Sequence, residues 1–180
     1  MGTRPGRIRT EEGELKVTRE TVMIHGKVVV IEPGANLRSA DLRWAELRGR
    51  DLHEANLSRA NLRQSNLRQA NLRGADLRMV DFNGARLEGA DLTEVSLYRA
   101  DLSLANLRGA NLRWADLSEA TFYETNLRDA DLTGANLANT VLIDANLSEA
   151  VLTAANLAGV DLGKWERGPD GYARKKGGVT

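Results

Sequence analysis

The 180-residue chain has no cysteine, two histidines, three prolines and only 4% aromatic residues, and its 25 basic residues cancel its 25 acids. Each scarcity removes a class of answer. Without cysteine there is no disulfide framework and no thiolate chemistry. His25 and His53 have no second ligand type clustered near them at metal-site spacing, so no metal site is expected. No nucleophile motif and no phosphate-cradling glycine loop occurs, so no catalytic residue, no cofactor and no enzymatic activity are expected. With so few rings, a single domain must build its core from leucine and alanine. No stretch reaches transmembrane length, and Met1-Gly2-Thr3-Arg4-Pro5-Gly6-Arg7 is not followed by an apolar h-region. A cytoplasmic protein without membrane contact is the expectation. Asn-Leu-Ser at Asn56 and Asn146 matches a glycosylation sequon only because the repeating pattern described next generates that string.

What the chain has in abundance is leucine in register. From Leu37 to Leu162 a leucine stands at every fifth position, replaced only by Phe82 and Phe122, through 26 consecutive five-residue units. Two residues before it sits a small residue, usually Ala; one before it sits Asp or Asn in most units. A fixed short period marks a solenoid. On an α-helix, successive leucines would lie about 140° apart and no face would be apolar. In a flat strand, positions five apart would face opposite sides. The pattern requires about three extended residues followed by a turn, with Leu and the Ala two before it inward and the rest outward. Four such turns close a coil of twenty residues. Helix propensity of Ala, Leu and Arg argues otherwise, but by tenths of a kcal/mol per residue. Misplacing one leucine costs about 1.5–3 kcal/mol.

The units Ala60-Asn61-Leu62-Arg63-Gln64 and Ala105-Asn106-Leu107-Arg108-Gly109 resemble the pentapeptide-repeat family, and the resemblance covers residues 35–164. It implies an all-β fold, a right-handed quadrilateral parallel β-helix of about six and a half coils. At a strand spacing of about 4.8 Å the rod would be about 31 Å long. The expected organisation is a flexible segment over residues 1–20, a β-hairpin cap over 21–34, the β-helix over 35–164, and a C-terminal cap and disordered tail over 165–180. Thr21–Ile24 and Lys27–Ile31 flank His25-Gly26 as a hairpin would, and Pro33-Gly34 breaks the chain before the repeats. Trp165 is expected to cover the last leucines, while Gly168-Pro169-Asp170-Gly171 and Lys175-Lys176-Gly177-Gly178 read as turn and disorder. Family members that dimerise through a C-terminal helix have a pattern absent here. Arg50 occupies an inward slot and is expected to lean toward the cap, to Glu32 or Glu46.

Residues twenty apart stack in columns. Arg48, Arg68, Glu88, Arg108 and Arg128 form one file, and further arginines fall on the other faces, so positive charge is spread around the rod and nucleic-acid binding is not expected. Along the axis, residues 35–79 carry nine Arg against five acids, net +4; residues 80–164 carry six Arg and Lys against thirteen acids, net −7. Such a rod can associate end to end or offer its acidic part to a basic partner. Leu104, Tyr123, Val141 and Ile143 fall outward on one face in successive coils, with Trp44 near the other end of that face and Trp114 on the opposite one. Contiguous exposed apolar residues with aromatic anchors are the mark of a binding surface. The functional expectation is a protein–protein interaction module or scaffold with an unidentified protein partner, or a homodimer. The resemblance implies an alternative, a DNA mimic that occupies DNA gyrase and thereby inhibits it or protects it from quinolones. A duplex as long as this rod holds about eighteen charges, against the −7 of the acidic part.

Overall fold

The computed structural model describes residues 7–9, 15–17 and 21–177. Its regular strands are short: β1 Arg7–Arg9, β2 Leu15–Val17, β3 Thr21–Ile24, β4 Lys27–Val30, β5 Trp165–Arg167 and β6 Ala173–Lys175. They pair as three antiparallel hairpins, β1 with β2, β3 with β4, and β5 with β6. Among the described residues there is no helix. The flexibility expected of residues 1–20 concerns positions largely outside those described.

Between the hairpins the chain is a stack of rungs. Parallel bridges join Asn36 to Asn56, Asp41 to Asn61, Glu46 to Asn66 and Asp51 to Asn71, and then Asn56 to Asp76, so four ladders each advance by twenty residues. The faces are named here by their first buried leucines, Leu37, Leu42, Leu47 and Leu52. From Leu42 to Leu152 the leucines of the five-residue period and both phenylalanines are buried, and Leu62, Leu77 and Leu92 are fully enclosed. The small residues two before them are buried as well, except Ala40 and Arg50 in the first coil, which are half-buried. Where a hydroxyl takes that slot it finds a carbonyl: Ser65 donates to Leu62 O, Thr125 to Leu102 O and Thr140 to Leu137 O.

Nearly every backbone group of a unit has a partner, which is why five residues suffice. In the unit of Leu57, the Leu57 N–H donates to Asp76 O at 2.8 Å, the Arg59 N–H to Arg78 O at 2.9 Å and the Asn56 N–H back to Ala35 O at 2.9 Å. The Ala60 N–H closes the turn onto Leu57 O at 2.9 Å. The remaining N–H, of Ser58, goes to the Asn56 side chain at 3.1 Å. The same side-chain bond recurs from Arg63 to Asn61, Asn83 to Asp81, Thr93 to Asp91 and Thr133 to Asp131. This Asx turn is the reason for Asp or Asn before each leucine. Two residues after the leucine the backbone is left-handed, with φ near +58° at Glu54, Gln64 and Glu119. A type II turn demands that sign of φ at its third residue. No β-branched residue and no proline occupies that position from Ser39 to Gly159.

The two ends are closed differently. β3 and β4 join through His25 and Gly26, both at positive φ, a two-residue hairpin turn. Ile24 and Ile31 are buried over the first coil. At the other end Gly168-Pro169-Asp170-Gly171 is a turn, as expected, but it connects two paired strands, and Lys175 belongs to the second of them rather than to a disordered tail. β5 and β6 pair in register from Trp165–Lys175 to Arg167–Ala173, and Tyr172 bridges Val151 antiparallel. Trp165 is buried and its Nε1 donates to Ala145 O at 3.0 Å. The hairpin is held by the last coil rather than by its own sequence.

Candidate interaction surface

The Leu42 face brings four of the expected residues together. Leu104 N–H donates to Tyr123 O at 2.8 Å, Phe122 N–H to Val141 O at 2.7 Å and Glu124 N–H to Ile143 O at 2.9 Å, so they lie on three adjacent rungs. All project outward, with Leu104 52% and Ile143 59% exposed. The Tyr123 phenol is held above its ordinary pKa, first by its hydrogen bond to Glu124 and that carboxylate's charge, then by burial and Asp144. An acidic margin therefore borders the apolar strip.

Trp44 and Trp114 are not part of that strip. Trp44 starts the same face three rungs below Leu104. There it meets His25 edge-on at 5.9 Å between ring centroids, and the Arg43 guanidinium lies 5.2 Å over its ring. Arg43 grips Asp41 with two hydrogen bonds of 2.8 and 2.7 Å. That grip, more than the smaller contribution of His25, lowers the Asp41 pKa to about 2. Trp114, on the Leu52 face, leans over Gly134, where an added Cβ would lie 2.2 Å from its ring. Its exposure is that of a side chain laid flat on the next rung.

The arginine file on the Leu47 face is largely neutralised. Arg68 donates to Glu88 Oε1 at 2.9 and 2.7 Å. Burial pushes the Glu88 carboxyl up, but the Arg68 bonds and neighbouring charge bring it net below its ordinary value. Arg108 and Arg128 both reach Asp129, at 3.3 and 3.4 Å. Arg48 has no ion pair among the described residues. Arg50 is half-buried with the backbone bonds of an ordinary unit, and Glu46 accepts a bond from Asn66 at 2.7 Å. His25 and His53 lie beside Asp41 and Asp51; among the described residues no group of three metal-ligating side chains forms.

A family description of pentapeptide repeats, in eight copies, matches residues 51–89, 70–109, 96–134 and 130–164. The chain belongs to the pentapeptide-repeat family. No curated protein matches it in sequence. Among solved structures, this pentapeptide-repeat protein is 40% identical to one from the Arabidopsis thaliana thylakoid lumen, over 57% of this chain and 72% of that one, with a TM-score of 0.56. It is 30% identical to HetL of Nostoc sp. strain PCC 7120, described as involved in heterocyst differentiation regulation, over 80% and 90% of the two chains, with a TM-score of 0.33. It is 19% identical to QnrB1, a plasmid-mediated fluoroquinolone resistance protein, over 69% and 77%, with a TM-score of 0.35. Within the pentapeptide-repeat pattern, the Asx turns and left-handed third turn residues are shared by most units and build the rod. Added to that repeating frame is the cluster of outward apolar side chains at Leu104, Tyr123, Val141 and Ile143.

Proposed function

We propose that this protein is a non-catalytic interaction module that binds a protein partner through the Leu42 face at Leu104, Tyr123, Val141 and Ile143. The observation that carries the reading is their placement on three successive rungs of one face, bordered by carboxylates. Apolar side chains scattered singly on a surface ask for no explanation; a contiguous strip with an aromatic anchor does. The architecture that presents it is read as a right-handed quadrilateral β-helix of about six and a half coils, supported by the four twenty-residue ladders and by family membership. The compartment is read as the cytoplasm; among the described residues no helix is long and apolar enough to cross a membrane.

Site-specific photo-crosslinking in cells tests the proposal. A crosslinking residue at position 143 should capture one defined partner, and the same residue at position 73, on the Leu52 face, should not. Leu104→Asp with Tyr123→Asp should abolish the crosslink. Equal capture from both positions would refute the assignment of the face. The alternative, gyrase mimicry, draws on the net −7 of residues 80–164, far short of a duplex of equal length. Supercoiling by gyrase, with or without a quinolone, is expected to be unchanged when this protein is titrated in. A change in that activity would favour the alternative.

A further inference from the structure

The last full coil leaves the rung Thr140–Asp144 open, with a cavity beside it. Elsewhere on the Leu42 face each rung receives the next by three bonds. Thr121 N–H donates to Ala100 O, Leu102 N–H to Thr121 O and Leu104 N–H to Tyr123 O, at 2.9, 2.8 and 2.8 Å. The ladder on this face ends at Thr121–Val141. One rung higher the corresponding groups are Thr140 O, Leu142 N–H and Asp144 N–H, and among the described residues none has a backbone partner. On the next two faces the C-terminal hairpin takes part of the edge: Trp165 takes Ala145 O, Ala173 N–H takes Ala150 O, and Gly171 O accepts from Leu152, while Leu147 and Glu149 N–H, like Leu142 and Asp144, have no backbone acceptor among the described residues. The chain itself swings away over Asp161–Trp165. It leaves a cavity of about 540 Å³ between that segment and the rung Thr140–Asp144, within the size range of binding pockets.

An unpaired strand edge is ordinarily blunted or hidden; this one is flanked by exposed Val141 and Ile143. We infer that the open rung Thr140–Asp144 is a strand-addition site for an extended segment of a partner protein, apolar at three successive positions and followed by a lysine or arginine. The inference rests on the binding role proposed for this face and names what binds. The segment runs parallel to the rung, as every coil does. Its first paired residue donates to Thr140 O and accepts from Leu142, and the residue two further on accepts from Asp144. The residue between them points inward over Leu142. The next residue lies over Asp144, with Glu124 one rung below and Asp161 also lining the cavity, against Lys164, the one cation among the described residues that line it. Main-chain bonds supply affinity in such additions and alternate side chains supply selectivity.

The probe is a capped octapeptide, Ser-Ala-Val-Leu-Val-Lys-Ala-Ser, added to the full chain, with amide hydrogen exchange of Leu142 and Asp144 followed by NMR. Saturating peptide should slow both amides at least tenfold and leave Leu62 and Leu92 unchanged. Replacing the peptide lysine with glutamate should weaken binding at least fivefold. The Asp144→Asn variant, which keeps the backbone donor, should lose most of that preference while still protecting Leu142. No binding, or binding without protection of these amides, overturns the inference, as does equal affinity for the glutamate peptide. Slow exchange of both amides in the free monomer would show that Val160–Lys164 closes the rung itself. Concentration-dependent protection with dimer formation would assign it to a second copy. Either result overturns the partner assignment. The side-chain variants Leu104→Asp and Tyr123→Asp leave the rung intact, so crosslinking and amide protection can fail independently.

Discussion

Truncating one central leucine is the most direct test of the ladder. Leu92 is fully buried on the Leu52 face, between Leu72 and Leu112. Leu92→Ala removes three buried carbons, a loss of about 2.4 kcal/mol at about 0.8 kcal/mol each. The cavity left behind adds to this, because its walls are held apart by backbone bonds. Leu72 N–H to Asp91 O is 2.8 Å and Leu92 N–H to Asn111 O is 2.7 Å, so the rungs cannot collapse toward each other. The total therefore falls in the upper part of the known Leu→Ala range, about 3.5–5 kcal/mol. That is a large share of the roughly 5–15 kcal/mol that stabilises a typical domain. Urea unfolding monitored by circular dichroism measures it. Amide exchange in the native state locates it, since contacts in a solenoid are between neighbours. The rungs of Leu72 and Leu112 should lose protection first, and those near Leu42 last. Arg73→Ala, an exposed residue whose nearest acid is 3.6 Å away, should cost less than about 0.5 kcal/mol. If Leu92→Ala costs under about 1 kcal/mol, or no more than Arg73→Ala, the inward placement of the leucines is wrong.

Three further outcomes follow from the turns and the surface charges. Asp131→Ala should cost about 1–2 kcal/mol by orphaning the Thr133 N–H, whereas Asp131→Asn, which keeps the acceptor, should stay close to wild type; urea midpoints compare the two. Gly109→Ala, with nothing within 4 Å of the added carbon, should cost about 1 kcal/mol for its left-handed backbone alone. Gly134→Ala should cost more and displace the Trp114 ring, read in the fluorescence of a chain retaining only that tryptophan. Asp41, Asp76 and Glu119 each have a pKa lowered chiefly by hydrogen bonds from Arg43, Arg78 and Arg99. Between folded and unfolded values the unfolded chain binds more protons, so this stabilisation is full above the ordinary carboxylate range and is lost as pH falls through the lowered values. NMR titration should place Asp41 near 2, and Arg43→Gln should return it toward the ordinary value.

The period of five was enough to place Leu62, Leu77 and Leu92 inside and Arg63, Arg78 and Arg113 outside, because misplacing leucine costs more than any local propensity. Two further signals were also written in the chain. Asp and Asn share one ability that the position before leucine needs, a side-chain oxygen for the N–H two residues on. The exclusion of β-branched residues two after leucine announces positive φ. Both are local chemistry and recur with the unit. The C-terminal hairpin could not be read this way. Trp165–Arg167 and Ala173–Lys175 are too short to alternate, and what holds them is distant: Ala145 O, Ala150 O and the Leu152 N–H. Tertiary structure alone also decided that Trp44 packs with His25 and Arg43, that Trp114 lies on Gly134, and that the chain leaves its coil after Asn156–Gly159. Repetition specifies how one rung sits on the next; only the fold determines where the stacking stops, and so which donors of the last rung are left for something else to meet.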